Sequence, residues 1–325
     1  MRAVIPVAGV GTRLRPHTYT LPKVLLNVAG KPILAHILDA IIEQGITKAT
    51  IITGYMGKLV EAYVRERYDI EVDFVLQHES LGLGHAIWTG RETFSNEPLM
   101  IILGDTVFDV DLNLAEKSGV SSIGVKQVKD PRRFGVVVNN KQGHISKFIE
   151  KPKEFVSDLA IVGLYYIANP EALKLSLEEI INKDIQTRGE YQLTDVLQLM
   201  LEKGEKFSTF PVDGWFDCGK PETLLSTNRH LLDKLKQEKA PNGTVIIPPV
   251  FIAQDAKIER SVIGPYTTVA DGAIVEDSII RDSIISSDAR VYSSLLEESI
   301  IGNNAHVKGT FNRLNVGNSS EINYK

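Results

Sequence analysis

The residues best suited to chemistry lie in a short loop near the start, Gly9-Val10-Gly11-Thr12-Arg13-Leu14-Arg15-Pro16, followed by Leu21-Pro22-Lys23. The loop leaves an apolar run that reads as a strand. Glycines without Cβ let backbone N–H groups approach phosphate oxygens, and Arg13 and Lys23 can neutralise charge there. The Gly-Lys-Ser/Thr ending of a P-loop is missing, and Leu14 stands where a dinucleotide fingerprint has its third glycine. By itself the loop could equally be a tight turn with solvated charges. A second candidate is Asp105, which follows Gly104 at the end of Met100-Ile101-Ile102-Leu103. A carboxylate at the carboxyl end of a buried strand is well placed to hold Mg2+ over a phosphate. That ion takes one or two carboxylates, phosphate oxygens and waters. A capping or turn role is the plainer alternative. The seven histidines show no metal-ligand spacing. Cys218 has no histidine near it in a recognisable motif and is expected to pack.

These side chains need a scaffold. Strands are expected at 3–7, 49–53, 73–77, 99–103, 122–128, 134–138 and 159–167, and helices at 32–44, 57–68 and 84–94. Such alternation predicts an α/β domain: a Rossmann-like, mostly parallel sheet with helices on both faces. Its ligands would sit at the carboxyl ends of the strands. The apolar start is too short to span a membrane, and Arg13 and Arg15 follow it rather than precede it, so a buried first strand is expected.

Beyond a charged helix around 231–236, the segment 240–243 reads as a linker, dividing a domain at 1–237 from one at 238–325. The second has another pattern. Ile252, Ile263, Ile274, Ile285, Leu296 and Val307 recur every eleven residues, and Ile258, Val269, Ile280 and Val291 keep the same interval. Steps of five and six between aliphatic residues predict a parallel β-helix of the hexapeptide type, each aliphatic residue stacking on its equivalent one coil away. A cap is expected beyond Gly309.

The chain has 325 residues, 43% of them hydrophobic, and a formal net charge of −5. That balance argues against a nucleic-acid partner. The single cysteine allows no internal disulfide and fits a reducing compartment. No run approaches the ~18 apolar residues of a membrane span. A cytoplasmic protein without a membrane partner is expected.

Gly-x-Gly-Thr-Arg-Leu-x-Pro-x-Thr with the later Pro-Lys resembles the signature of the sugar nucleotidyltransferase family. Further matches follow in order: Gln77 and Leu81-Gly82-Leu83-Gly84-His85-Ala86, Leu103-Gly104-Asp105, Phe134-Gly135-Val136-Val137, Glu150-Lys151-Pro152, Gly163-Leu164-Tyr165, Gly189-Glu190 before Leu193-Thr194-Asp195, and Trp215-Phe216-Asp217. They cover nearly all of the first ~220 residues. The C-terminal repeats resemble the left-handed β-helix of the longer members, including long-form glucose-1-phosphate thymidylyltransferases.

The resemblance implies that a nucleoside triphosphate and a sugar 1-phosphate are joined, with Mg2+, to a nucleotide sugar and pyrophosphate. It implies catalytic roles for Arg13, Lys23 and Lys151, and a nucleotide site at Ala8, Gly9, Gly11, Thr12, Gln77 and Gly82. Gly135, Glu150, Lys151 and Gly163 would take the sugar phosphate, and Asp105 and Asp217 the metal. The long form favours glucose 1-phosphate with dTTP. Ala8-Gly9, where short thymidylyltransferases carry adjacent glycines, looks more like the uridylyltransferases, so UTP stays open, as does GTP with mannose 1-phosphate. Two other readings are an acyltransferase in the β-helix, where only His306 lies in the repeats, and a non-catalytic regulatory or assembly subunit. A homo-oligomer is expected by the same resemblance.

Overall fold

The computed structural model describes residues 1–235 and 243–309. It divides into two compact units. One comprises Met1–Asn27 and Lys31–Thr227; the other gathers Val28–Gly30 with the chain from Asn228 onward. Most of the segment read as a linker, 240–242, lies outside the described residues, as does the cap expected beyond Gly309.

In chain order the elements are β1 (Arg2–Pro6), β2 (Asn27–Val28, which the division between the units crosses), β3 (Lys31–Pro32), α1 (Ile33–Glu43), β4 (Lys48–Thr53), α2 (Gly57–Arg67), β5 (Glu71–Leu76) and α3 (Leu83–Thr89). They continue with β6 (Leu99–Ile102), β7 (Thr106–Asp109), α4 (Asn113–Glu116), β8 (Ser121–Gln127), β9 (Gly135–Asn139), β10 (Ile145–Glu150) and β11 (Leu159–Ile167). The last elements are α5 (Pro170–Asn182), α6 (Leu193–Glu202), β12 (Phe207–Pro211), β13 (Gly214–Asp217) and α7 (Pro221–Leu232), within which the two units divide.

The main sheet is ordered β10-β9-β11-β6-β1-β4-β5, with β8 beside β11 and β12 beside β8. Its core, β6-β1-β4-β5, is parallel. β11 joins β6 in the opposite sense. Alternation along β1 sends Ala3 and Ile5 into one apolar cluster with α1 and α2, and Val4 into the other with α3, α5 and α6. Each face is thereby covered by helices, which is why the central strands carry near-continuous apolar runs. Two helix expectations need correction. The helix read over 84–94 ends at Thr89, because Gly90 breaks it and only a single tight turn, Arg91–Thr93, follows. The helix placed around 231–236 is instead the end of α7, which stops at Leu232.

The second unit holds three four-stranded parallel sheets built from strands of two or three residues. Their pairing gives the true coil. Ile246 stacks on Ile263, Ile280 and Leu296; Ile252 on Val269, Ile285 and Ile301; Ile258 on Val275, Val291 and Val307. Stacked partners are thus 16 or 17 residues apart, not eleven. Eleven residues span two of the three sides of a coil, so the eleven-residue series steps between sheets instead of climbing one. Ile274 is its misfit: it pairs with Lys257 and Arg290 on the outer row, and Val275 is the fully buried residue. The architecture, a parallel-cored α/β sheet followed by a parallel β-helix consistent with the left-handed form, is the one expected. No helix among the described residues is long and apolar enough to cross a membrane.

Candidate active site

The glycine loop leaves β1 at its carboxyl end. Gly11 adopts φ +66°, and a Cβ there would lie 3.0 Å from the Thr18 methyl and 3.1 Å from the Lys23 side chain. The left-handed residue folds the loop back on itself, and the Thr18 hydroxyl donates to the Gly11 carbonyl at 2.8 Å. Lys23 is thereby carried inward, its side chain only 8% exposed, with Nζ 2.7 Å from Asp105 Oδ2.

Asp105 follows β6, one strand over. Gly104 allows this approach: its N–H donates to the Pro6 carbonyl at 3.3 Å, and a Cβ there would stand 2.4 Å from Val7 Cγ1. Asp217 arrives from the far end of the unit. β13 pairs antiparallel with β7, setting Asp217 opposite Thr106, and the Cys218 N–H donates to the Asp105 carbonyl at 2.9 Å. The Asp217 carboxyl is raised above its ordinary value, first by burial and then by the Asp105 charge, against the pull of Lys23 and Arg13. Two acids and two bases therefore share one field.

Two cavities meet at this point. The first, of about 400 Å³, is lined by Ala8, Gly9, Gly11, Thr12, Arg13, Lys23, Gln77, Gly82 and Asp105, among others. The second, of about 790 Å³, holds Lys151 and Asp217 and shares Arg13, Leu103 and Asp105 with the first. Lys151 directly follows β10 with φ +42°, its Nζ 3.1 Å from Glu150 Oε1. Glu150 also accepts from the Thr194 hydroxyl at 2.8 Å. Gly135 backs this pair, since a Cβ there would stand 3.0 Å from Glu150 Oε2. Gly135, Glu150 and Gly163 lie behind the lining of the second cavity rather than in it. The room beside Gly163 is filled by Leu103. Cys218 is fully buried and its thiol is pushed up to about 12 by that burial, which leaves no thiolate at neutral pH.

The family model described as "Nucleotidyl transferase" matches residues 2–234. The chain belongs to that family. The nucleotidyltransferase is 29% identical over 327 residues to a low-salt glycan biosynthesis nucleotidyltransferase of Haloferax volcanii, covering 90% of each chain. It is also 29% identical over 354 residues to a glucose-1-phosphate thymidylyltransferase of Streptomyces griseus, covering 98% of each. Among solved structures, a UDP-glucose pyrophosphorylase complexed with UDP-glucose superposes with a TM-score of 0.63 at 25% identity, over 72% of this chain and 99% of the other.

Several lining residues of this nucleotidyltransferase escaped the sequence reading. Ser80 lines the first cavity, and Arg133 and Lys220 the second; Glu190 and Trp215, quoted within motifs but given no role, line the first and the second. Arg133 directly precedes the motif Phe134-Gly135 and Lys220 lies three residues beyond Trp215-Phe216-Asp217, so their proximity is the available signal. Arg188 likewise precedes a motif, Gly189-Glu190; its guanidinium donates to the Lys151 carbonyl at 2.8 Å and helps to hold that turn.

The acid pair fits Mg2+. Asp105 and Asp217 converge, and no cluster of three or more His, Cys, Asp or Glu joins them among the described residues. Two carboxylates facing open cavities are the donor set that Mg2+ takes when substrate oxygens and water complete its shell.

Proposed function

We propose that this protein transfers a nucleotidyl group from a nucleoside triphosphate to a sugar 1-phosphate, with glucose 1-phosphate and dTTP as the leading pair and UTP or GTP as the alternative donors. One observation carries the reading: a cavity under a glycine-rich turn and a second cavity bearing Lys151 share a wall at Arg13 and Asp105. Two anionic substrates need such an arrangement, because their reacting oxygen and phosphorus must meet while the rest of each stays apart. The thymidylyltransferase relative, matched along nearly its whole length, supports thymidine; the UDP-glucose pyrophosphorylase keeps uridine in view.

A phosphate oxygen of the sugar 1-phosphate attacks the α-phosphorus, and the bond to the β-phosphate oxygen breaks to release pyrophosphate. The nucleophile is already anionic at pH 7, so no general base is required. Alignment of two mutually repelling anions and stabilisation of the transition-state charge do the catalytic work. Arg13 stabilises the departing pyrophosphate, Lys23 the α-phosphate and Lys151 the attacking phosphate. Ala8, Gly9, Gly11 and Thr12 hold the triphosphate, while Gln77 and Gly82 meet the base. Glu150 takes a sugar hydroxyl, with Gly135 leaving room for its carboxylate and Gly163 for the Leu103 side chain. Asp105 and Asp217 would hold Mg2+, which when bound supplies charge neutralisation at the phosphates.

Pyrophosphate release across a matrix of dTTP, UTP, GTP, CTP and ATP against glucose, mannose and N-acetylglucosamine 1-phosphates tests the proposal. Turnover is expected with glucose 1-phosphate and dTTP or UTP, and loss of it on chelating Mg2+. No release with any pair would overturn the reading.

A further inference from the structure

Gln77 follows β5 at its carboxyl end and is 7% exposed, yet it lines the first cavity. Its amide nitrogen is fully engaged: Nε2 lies 3.3 Å from the Gly82 carbonyl and 2.9 Å from His85 Nδ1. The Gly82 carbonyl oxygen can only accept, so the amide must face it with its nitrogen. His85 Nδ1 must then accept the second N–H, which puts the imidazole proton on Nε2. Oε1 of Gln77 takes no partner among the described residues.

His85 is itself held. It stacks on Tyr191 at 6.2 Å between ring centroids and lies 5.6 Å from Trp88. The Tyr191 carbonyl accepts from Gly84 N–H at 2.7 Å, tying the start of α3 to the same tyrosine. Burial holds the imidazole below its ordinary value against the opposing charge of Glu79, so the neutral, accepting form persists at pH 7.

We propose that His85 is a positioning residue that locks the Gln77 amide so that only its carbonyl oxygen is offered to the nucleobase. A base whose facing ring nitrogen carries hydrogen is then preferred: N3–H of uracil or thymine, or N1–H of guanine. Cytosine N3 and adenine N1 present a lone pair at that place and meet the lone pairs of Oε1. Turning the amide over does not rescue them while both anchors stand, because it breaks the 2.9 Å bond to His85 Nδ1 together with the longer 3.3 Å bond to the Gly82 carbonyl and sets Oε1 against both acceptors. The assignment rests on the nucleotidyltransferase reading above and gives its dTTP, UTP and GTP donors one physical basis.

Equilibrium titration of UTP, dTTP, GTP, CTP and ATP, without sugar phosphate, tests it on wild type, His85→Leu and His85→Gln, with the Tm of each recorded. Wild type is expected to bind UTP or dTTP about 100-fold more tightly than CTP, as a site built around a hydrogen bond rejects the wrong partner. In His85→Leu the amide keeps only its 3.3 Å bond to the Gly82 carbonyl and turns at smaller cost, so that ratio should fall about 10-fold. In His85→Gln the side-chain carbonyl replaces Nδ1 as acceptor, and most of the ratio should return, which a merely structural role would not produce. Wild type preferring CTP or ATP overturns the proposal without recourse to any variant. So does a ratio in folded His85→Leu within twofold of wild type. The expected ranking without pyrophosphate release from any sugar phosphate would instead sink the enzymatic reading and leave this one standing.

Discussion

Lys23 and Asp105, 82 positions apart, form an ion pair of 2.7 Å at the junction of the two cavities. The lysine is buried and the aspartate is 41% exposed, so the pair has a sealed cationic end and an acidic end open to ligands. An incoming triphosphate offers Lys23 a second anion without requiring it to move far. Lys23→Ala and Asp105→Asn are each expected to lower turnover by at least ~10²-fold, comparable to losing one oxyanion donor, while the chain stays folded. Steady-state pyrophosphate release with circular dichroism checks both halves, and near-normal turnover in either variant would remove the assignments.

Gly219 separates folding from chemistry. A Cβ there would lie 2.8 Å from Asp217 Oδ1 and 3.1 Å from Arg13 Nη2. Both neighbours are the ends of flexible side chains, which can swing aside at little cost to stability. Gly219→Ala should therefore shift Tm by no more than a few degrees, yet lower kcat about 10-fold or more by misplacing a carboxylate and a guanidinium together. An unchanged kcat would show that neither group needs its present place.

Cys218 bears on the opposite question. Its buried thiol, held at about 12, should resist iodoacetamide at pH 8 and react only once denaturant exposes it. Cys218→Ala should retain turnover within a few-fold of wild type. Rapid alkylation of the native protein, or loss of activity without loss of fold, would contradict a packing role.

The coil register can be tested with adjacent residues. Val275→Asp places an unpaired charge in the sealed interior of the β-helix and should cost more than about 4 kcal/mol. Ile274→Asp falls on the outer row between Lys257 and Arg290 and should stay within about 1 kcal/mol of wild type, aided by its basic neighbours. Chemical denaturation of the full chain reads both. Equal penalties would refute the 16- and 17-residue coil and restore eleven.

Much of this was legible along the chain because short-range rules produced it. The apolar runs before Gly9 and Gly104 marked strands whose ends carry the loop and Asp105, and the loop's own glycines and basic residues offered a candidate anion site beside the plainer tight turn. The five- and six-residue steps of the aliphatic residues were enough to name a β-helix. Its coil length was not, because two of three sides repeat at eleven while stacking is set by backbone pairing between coils. The break at Gly90 was likewise missed, since the apolar pattern runs on across it.

Local order could therefore declare which residue types are present and which strands deliver them. It could not declare which of them meet. Asp217 comes beside Asp105 only because β13 pairs antiparallel with β7; Thr194 reaches Glu150 only because α6 lies along β10; His85 meets Gln77 only because a left-handed Gly82, φ +108°, turns the chain into α3. Each meeting depends on hydrogen bonds and packing between segments distant in the chain or on a turn's dihedral angle, quantities that residue identity constrains weakly and the assembled sheet sets.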